Sequence, residues 1–598
     1  MKRILAIVLA FLMVLCLFAA CGEKDKKSNS AGSGAAASSG QTQTGASSGG
    51  AQTSTGSGGA ASSGSTSVTL NPEVTTTEYN HFWSELREMD VHPSDKTMKF
   101  ALNNTMVACT QIGHQSDGQC NIHNLFFQGL LQWDSINNRV GPCLATSYEW
   151  LDDTTIRLYL EKGVNSIDGD PFTASDVIWS YKFQKDSGLL NAYYSIFDFD
   201  NSRAVDDYTV EFKLTKSYPF LPLDMCAAYF TVGVEKSAKA IGYDEATGTW
   251  DQVKLDWNPG YGTGPYKLVE TDQISWLKAE RRDNYWDDTL PYYKYFEVTA
   301  MTDTTARVMS VEAGDNMATE KINYSTGSSF KDNDEFTVWA SACPGAVYNL
   351  FMNSAVEALK SKEVRQAIAL GIDYQSLADV VFEGFADPSD SVMAPIASDH
   401  YVAPDGNEDY IRYDPELAKQ KLKEAGYADG VTLDLKYRSS DAPSGKIVEM
   451  LNNMLKEVGI NIVVTPLEAS VYAQVVKAGD YELACGVGAN PNPKTNVDKI
   501  YSGISYGATT GWCNTIWYDG DQQYLTDLCD KCYYTVNDAE RMEAWTELHE
   551  LCREYVPFIM LVYQKDLAMS TSDVVGMMRN SYGGINYAWL YEADYITG

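Results

Sequence analysis

The chain has 598 residues, and its 46 Lys and Arg against 80 Asp and Glu give a formal charge of −34. A field of that sign repels polyphosphates and anionic lipid, which excludes nucleic-acid binding and adsorption to an anionic membrane surface. Twelve cysteines in so long a chain do not make the spacing of a small disulfide scaffold, so most are read as small buried apolar residues.

The chain opens on Lys2 and Arg3, followed by an uncharged apolar run, Ile4 to Leu17, and then Phe18-Ala19-Ala20-Cys21. The run is shorter than the ~20 apolar residues that a membrane span needs, so residues 1–21 are read as a signal peptide. Small residues directly before a cysteine resemble a bacterial lipobox, although Phe18 stands where Leu is usual. The resemblance implies lipidation of Cys21, with more than one acyl chain, because a single chain binds a membrane only marginally. The alternative is an ordinary signal peptide with an incidental cysteine. Residues 22–70 are charged at first and then almost only Ser, Gly, Ala, Thr and Gln. Such a composition cannot offset its own ordering entropy, and it is expected to act as a flexible tether. The expected location is extracytoplasmic, with the membrane touched only through the lipid on Cys21.

Roughly 530 residues follow, more than one core usually supports, so two or more lobes are expected. Ile156, Leu158 and Leu160 alternate with polar residues after Asp152-Asp153, and Tyr208, Val210, Phe212 and Leu214 do so after Asp206-Asp207; both patterns predict hairpins with one buried face. Thr173 with Asp176 predicts a capped helix start. From about 345 strands alternate with helices. Glu363 to Leu370 is predicted helical. Asp414-Pro415 starts a helix whose apolar stripe is Ala418, Leu422 and Ala425, and Gly426 ends it. Val431, Leu433 and Leu435 form a strand. Ile447, Met450, Leu451, Met454, Leu455 and Val458 form an amphipathic helix. Ile460, Ile462 and Val464, then Tyr481, Leu483, Cys485 and Val487, give two more strands. This rhythm predicts an α/β lobe with a largely parallel sheet, whose ligand sits at the carboxyl ends of the strands, where the loop 488–493 begins.

Three chemical motifs compete for attention. Gly503-Ile-Ser-Tyr-Gly507 fits the nucleophile elbow of a serine hydrolase, with Asp527 and His549 in the right chain order, but the residues after it make a poor helix start and His549 falls inside an amphipathic helix. Cys109, His114, Cys120 and His123 collect four potential metal ligands at a spacing that is not a standard zinc pattern. Cys529-Asp-Lys-Cys532 has redox spacing without a surrounding thioredoxin-like unit. None of the three is read as functional, and no cofactor is expected.

Six blocks then occur in order. Leu125-Phe-Phe-Gln-Gly-Leu-Leu-Gln-Trp-Asp134 is followed by Asp168-Gly-Asp-Pro-Phe-Thr-Ala-Ser-Asp-Val177, Gly262-Thr-Gly-Pro-Tyr266 and Arg282-Asp-Asn-Tyr-Trp286. Val364-Arg-Gln-Ala-Ile368 with Ile372-Asp373, and the run Tyr413 to Tyr427, complete the set. Together, over about residues 95–598, they resemble the dipeptide- and oligopeptide-binding group (family 5) of extracellular solute-binding proteins of ABC importers. The resemblance implies an α/β, two-lobe, periplasmic-binding-protein-like clamshell of type II with an extra subdomain in the first lobe. Residues 71–344 would form the first lobe, 345–562 the second, and 563–598 a return to the first. It implies a monomer that captures a di- or oligopeptide, leaves it chemically unchanged and hands it to ABC permease subunits. The family's ligand-gripping loop corresponds to Cys485-Gly-Val-Gly-Ala-Asn-Pro-Asn-Pro493. Asn490 stands at the position of an aspartate that holds the ligand's amino group, and Val487 stands near an expected Trp. The amide loses the charge-assisted bond, which leaves open a peptide held through its backbone, an oligosaccharide, a metal or haem-type ligand, or a simple turn at this loop. The candidate ligand contacts are Asn490, Val487, Gly488, the aromatics Trp512 and Tyr348, and His114.

Overall fold

The computed structural model describes Ser67–Val68 and residues 94–592, apart from 107, 110–121, 135–138, 187–190, 228–229, 288–290, 391–409, 489–516, 576–578, 581–583 and 586–590. All of these belong to one unit, Ala60–Gly598; the signal peptide, Cys21 and nearly all of the tether lie outside the described residues.

The backbone of the unit is a sheet of eleven strands. In chain order these are β1 Thr97–Leu102, β2 Tyr266–Thr271, β3 Trp276–Arg281, β4 Tyr295–Ala300, β5 Ala318–Glu320, β6 Phe336–Met352, β7 Ala386–Pro388, β8 Val431–Arg438, β9 Ile460–Leu467, β10 Leu483–Gly488 and β11 Phe558–Thr571. Across the sheet the order is β2-β3-β4-β1-β5-β11-β6-β10-β8-β9, with β7 paired to β11. The helices used below are α1 Ala174–Asp186, α2 Thr304–Glu312, α3 Tyr324–Phe330, α4 Lys362–Leu370, α5 Tyr374–Val381, α6 Pro415–Glu424, α7 Ala442–Glu457, α8 Ala469–Ala478, α9 Gln522–Tyr534 and α10 Asp538–Tyr555.

The alternation read from the sequence after 430 is present as β8, α7, β9, α8 and β10, and β8 runs parallel to both β9 and β10. The sheet is mixed rather than largely parallel, because β10 meets β6 antiparallel and β6 meets β11 antiparallel. The long β6/β11 ribbon has two halves. Phe336–Ala340 pairs with Leu567–Thr571, and there β11 also borders β5. Val347–Phe351 pairs with Phe558–Tyr563, and there β6 also borders β10. Between the halves the register shifts, around the pairs Pro344 with Lys565 and Ala346 with Gln564. A proline lacks the N–H a regular ladder needs, so a break at Pro344 follows from its chemistry.

A separate five-stranded antiparallel sheet contains Ala145–Asp152, Thr155–Leu160, Phe197–Asp206 and Thr209–Leu214. Ile156, Leu158, Val210 and Phe212 are fully buried on its inner face, where Phe197, Phe212 and Tyr181 of α1 meet ring to ring. Its outer face is polar, with Glu211 held between Arg157 and Arg203. The start of α1 differs from a full capping box. Asp176 Oδ2 accepts from the Thr173 backbone N–H at 2.8 Å, and the Thr173 hydroxyl donates to the same oxygen. The apolar core of this module continues into that of residues 347–563. At one corner Tyr218 and Phe220 pack on Tyr533 at 6.3 and 5.8 Å, the Ser217 hydroxyl donates to the Tyr534 carbonyl, and the Arg541 guanidinium lies over Phe220.

Three of the sequence blocks meet at one junction. The Gly264 N–H donates to the Phe126 carbonyl at 2.8 Å and the Tyr266 N–H to the Leu125 carbonyl at 3.0 Å. A Cβ on Gly264 would lie 2.7 Å from Phe126 Cα, and one on Gly262 would strike the Phe126 carbonyl oxygen. The requirement for glycine here is close approach of two backbones. Arg282, 5% exposed, donates to the carbonyls of Gly264, Asn165 and Ser166. Gln128 accepts from Trp286 Nε1 and donates to the Tyr285 hydroxyl. These blocks are therefore packing signatures of the fold.

Buried arginines recur as carbonyl staples. Arg365 on α4 is fully buried and donates to the carbonyls of Leu359, Lys360, Trp517, Tyr555 and Val556 at 2.7–3.2 Å. Arg307 on α2 does the same for Met301, Thr302, Glu320 and Lys321. Val556 and Lys321 are non-glycine residues with positive φ, a costly conformation that persists only where surroundings enforce it. Among the described cysteines six are buried and Cys143 is partly so, and all seven are free thiols. Cys529 and Cys532 sit inside α9, and burial pushes the Cys532 thiol up to about 12, the opposite of a redox-active thiolate.

Candidate ligand-binding site

The carboxyl ends of β8 and β10 and the adjacent start of the second half of β6 lie side by side. Their pairing sets Tyr348 opposite Val487 and Val347 opposite Gly488. Three of the nominated residues, Tyr348, Val487 and Gly488, are thus brought together on neighbouring strands. Asn490, Trp512 and His114 lie outside the described residues, as does the Gly503–Gly507 motif.

Tyr348 is 2% exposed, packs on Phe382 at 5.3 Å and donates its hydroxyl to Asp441 Oδ1 at 3.4 Å. Burial and then the Asp441 charge push that hydroxyl far above the usual tyrosine range, so it stays a donor at any physiological pH. Asp441 follows β8 and is the N-cap of α7, yet its side chain takes no capping hydrogen bond. The aspartate N-caps Asp251, Asp303, Asp373, Asp414 and Asp521 each accept a backbone N–H. A missing cap costs a helix about 1 kcal/mol. The Asp441 carboxylate is turned instead toward Tyr348 and the Ser444 hydroxyl, with Arg438 Nη2 at 3.9 Å from Oδ1.

Two further tyrosines donate to carbonyls of β11 and β10. Tyr472 of α8 donates to the Cys485 carbonyl at 2.9 Å, and a Cβ on Gly486 would lie 2.5 Å from its hydroxyl oxygen, so a larger residue there would displace the Tyr472 side chain. Tyr324 of α3 donates to the Lys565 carbonyl, beside the register shift in β11. Both hydroxyls are raised, by burial first and then by neighbouring anionic groups that include Asp441. Sequence reading passed over Arg438, Asp441, Tyr472 and Tyr324. The one available signal was position: Ser439 to Asp441 is the loop leaving the carboxyl end of a predicted strand.

The competing motifs resolve differently. His123 is fully buried, stacked on Phe127 at 4.7 Å and hydrogen-bonded to Thr231 Oγ1 at 2.7 Å. Among the described residues no group of three or more metal-ligating side chains occurs. His549 is buried inside α10. Burial, then the Arg553 charge, pull its imidazole down to about 3. The native state thus excludes a proton that the unfolded chain binds below about 6.5. Stability is retained above pH 6.5 and falls as pH drops toward 3. Urea titrations at pH 7, 6 and 5 are expected to show the wild type losing up to about 1.4 kcal/mol per pH unit more than His549→Gln once below pH 6.5. Equal pH slopes would remove His549 as the cause.

The architecture is that of the type II periplasmic binding proteins, a class that encloses small solutes. MppA, a periplasmic murein tripeptide binding protein in its unliganded open form, matches with a TM-score of 0.71 at 16% identity, over 84% of this chain and 98% of that one. DppA from Helicobacter pylori, in complex with peptide STSA, matches with a TM-score of 0.59 at 19% identity, over 85% of this chain and 99% of its own. The family model for the middle region of bacterial extracellular solute-binding proteins, family 5, matches residues 139–507, and the chain belongs to that family. The glutathione-binding protein GsiB of Pectobacterium atrosepticum is 26% identical over 470 residues, 75% of this chain and 85% of its own. GsiB of Escherichia coli is 25% identical over 478 residues, with 75% and 86% covered. No helix among the described residues is long and apolar enough to cross a membrane.

Proposed function

We propose that this protein is a peptide-capturing lipoprotein, held to the cell membrane through Cys21, that binds a short peptide as a monomer and delivers it intact to an ABC permease. The observation that carries the reading is the match to glutathione-binding proteins along 85% of their length, since glutathione is itself a tripeptide. Residues 71–344 with the return 563–598 act as one lobe and 345–562 as the other. The register shift at Pro344 and Gln564 supplies the hinge between them. Ligand bridging both lobes favours the closed state because only that state offers contacts from each side.

Thermal unfolding of the purified protein with glutathione, tri-alanine, tetra-alanine and maltotetraose tests this. A peptide at a hundred times its dissociation constant should add about 2.7 kcal/mol of stability, and mass spectrometry should recover it unaltered. Stabilisation by the oligosaccharide alone overturns the peptide assignment, and conversion of the bound peptide overturns the non-enzymatic one.

A further inference from the structure

Residues 216–220 follow the strand Thr209–Leu214 of the five-stranded sheet and lead into a short helix, Leu221–Asp224. They pack where α9 ends and α10 begins. Tyr218 and Phe220 meet the Tyr533 ring at 6.3 and 5.8 Å. Lys216 Nζ lies 5.3 Å from the centre of the Tyr534 ring, and the Arg541 guanidinium lies 5.9 Å from that of Phe220. The Ser217 hydroxyl donates to the Tyr534 carbonyl across 317 residues of chain. In the two-lobe division, one side of this contact belongs to the first lobe and the other to the second.

Each side is held in shape by its own bonds. The Tyr218 hydroxyl donates to Asp224 Oδ2 at 2.6 Å, within its own segment. Arg541 donates to the carbonyls of Thr535 and Val536 at 2.8 and 3.3 Å and pairs with Asp538, all at the start of its own helix. Asn537 caps that helix by accepting the N–H groups of Ala539 and Glu540. Arg365 is the contrast, since its guanidinium ties separate chain segments to one another. Parting the two sides would leave both surfaces formed, with Arg541 still bonded. The cost of parting is the partial wetting of Tyr218 and Phe220, 6% and 4% exposed in contact, together with the ring contacts and the Ser217 bond. Small contacts of this mixed character between lobes of one chain part and rejoin as the lobes move.

We infer that residues 216–220 and the α9–α10 turn form a clasp, made when the two lobes close and parted when they open, so that ligand affinity is set in part by a contact between protein groups alone. The inference rests on the two-lobe, peptide-binding reading. A contact present only in the closed form adds its free energy to closure, and the apparent dissociation constant rises as the closed fraction falls. Loss of the clasp therefore weakens every ligand by one common factor, whereas loss of a ligand contact weakens ligands according to their chemistry.

Calorimetric titration of the purified protein with glutathione, tri-alanine and tetra-alanine is expected to show Tyr533→Ala weakening each peptide by the same factor, about 3- to 30-fold. Small-angle X-ray scattering of the peptide-free proteins should give the variant a larger radius of gyration than wild type, and saturating peptide should bring the two together. Ser217→Ala removes the crossing hydrogen bond and should move both readouts the same way, by about 2- to 5-fold in affinity; it stands in if Tyr533→Ala does not fold. Unchanged affinity with identical scattering overturns the clasp and makes the contact a permanent seam, leaving the peptide reading in place. Unequal weakening among the peptides also overturns it, because it puts Tyr533 at the ligand. If no peptide binds wild type, the peptide reading falls, and the peptide-free scattering alone decides the clasp.

Discussion

Arg365→Leu is expected to cost about 3–5 kcal/mol, read as a lower urea midpoint at unchanged slope. The guanidinium is fully buried and serves five carbonyls, from Leu359, Lys360, Trp517, Tyr555 and Val556. Burial has already pulled its pKa down to about 10, so the cation tolerates its site only because those carbonyls surround it. A leucine of similar volume would leave the carbonyls without donors, each an exposed cost of about 1–3 kcal/mol unless water enters. Val556 lies at the end of α10 with φ +45°, and it leads directly into β11. Loss of the staple therefore frees the strained turn that aims the longest antiparallel pairing in the sheet. Arg365→Lys should recover little, because a single ammonium cannot span the three chain segments. A variant within 1 kcal/mol of wild type would show that the carbonyls find other donors.

Gly264→Ala is expected to cost about 2–4 kcal/mol. The added methyl meets Phe126 backbone atoms, including Cα at 2.7 Å, and backbone cannot rotate out of the way as a side chain can. The chain must open the Gly264 N–H to Phe126 carbonyl bond and shift the loop that Arg282 holds. Gly445→Ala is the control. It lies in the first turns of α7 with the Tyr437 ring 3.7 Å away, an ordinary contact, and alanine in a helix is worth up to about 1 kcal/mol over glycine. Equal responses from the two sites would refute the close-approach account.

The sequence made the local elements plain where one face is buried and the other wet. The cap at Asp414, with Oδ1 accepting the Leu417 N–H, and the stripe of Ala418 and Leu422 stand as read. So do short alternations such as Ile156, Leu158 and Leu160. In β9 the pattern misled at one residue: Val464 is 37% exposed, because β9 is the sheet edge. What local pattern could not convey was partnership. The β6/β11 ribbon joins residues more than two hundred apart in the chain, and nothing near Phe336 announces Thr571. Arg365 sits in a run that looks like any amphipathic helix, and its function as a donor to five carbonyls depends on segments contributed from positions 359 to 556. At the candidate site, Val487 and Gly488 were nominated through resemblance and strand-end position, and Tyr348 as an aromatic near the crossover into the second lobe. Asp441 was passed over because an aspartate before a helix reads as an N-cap, and its departure from that habit is visible only in the hydrogen bonds.

The order in which the ribosome supplies the strands bears on export. β5, β6 and β7 are all complete by residue 388, yet all three share one partner, β11, which begins at Phe558. Until that segment emerges, β5 and β6 present raw edges and the sheet remains two unjoined pieces. Closure of non-local strand pairs is slow and comes last. For a member of an extracellular family this delay keeps the nascent polypeptide threadable through a secretion channel. It also makes any product cut short before Phe558 a sticky one, with unsealed strands ready to recruit their like.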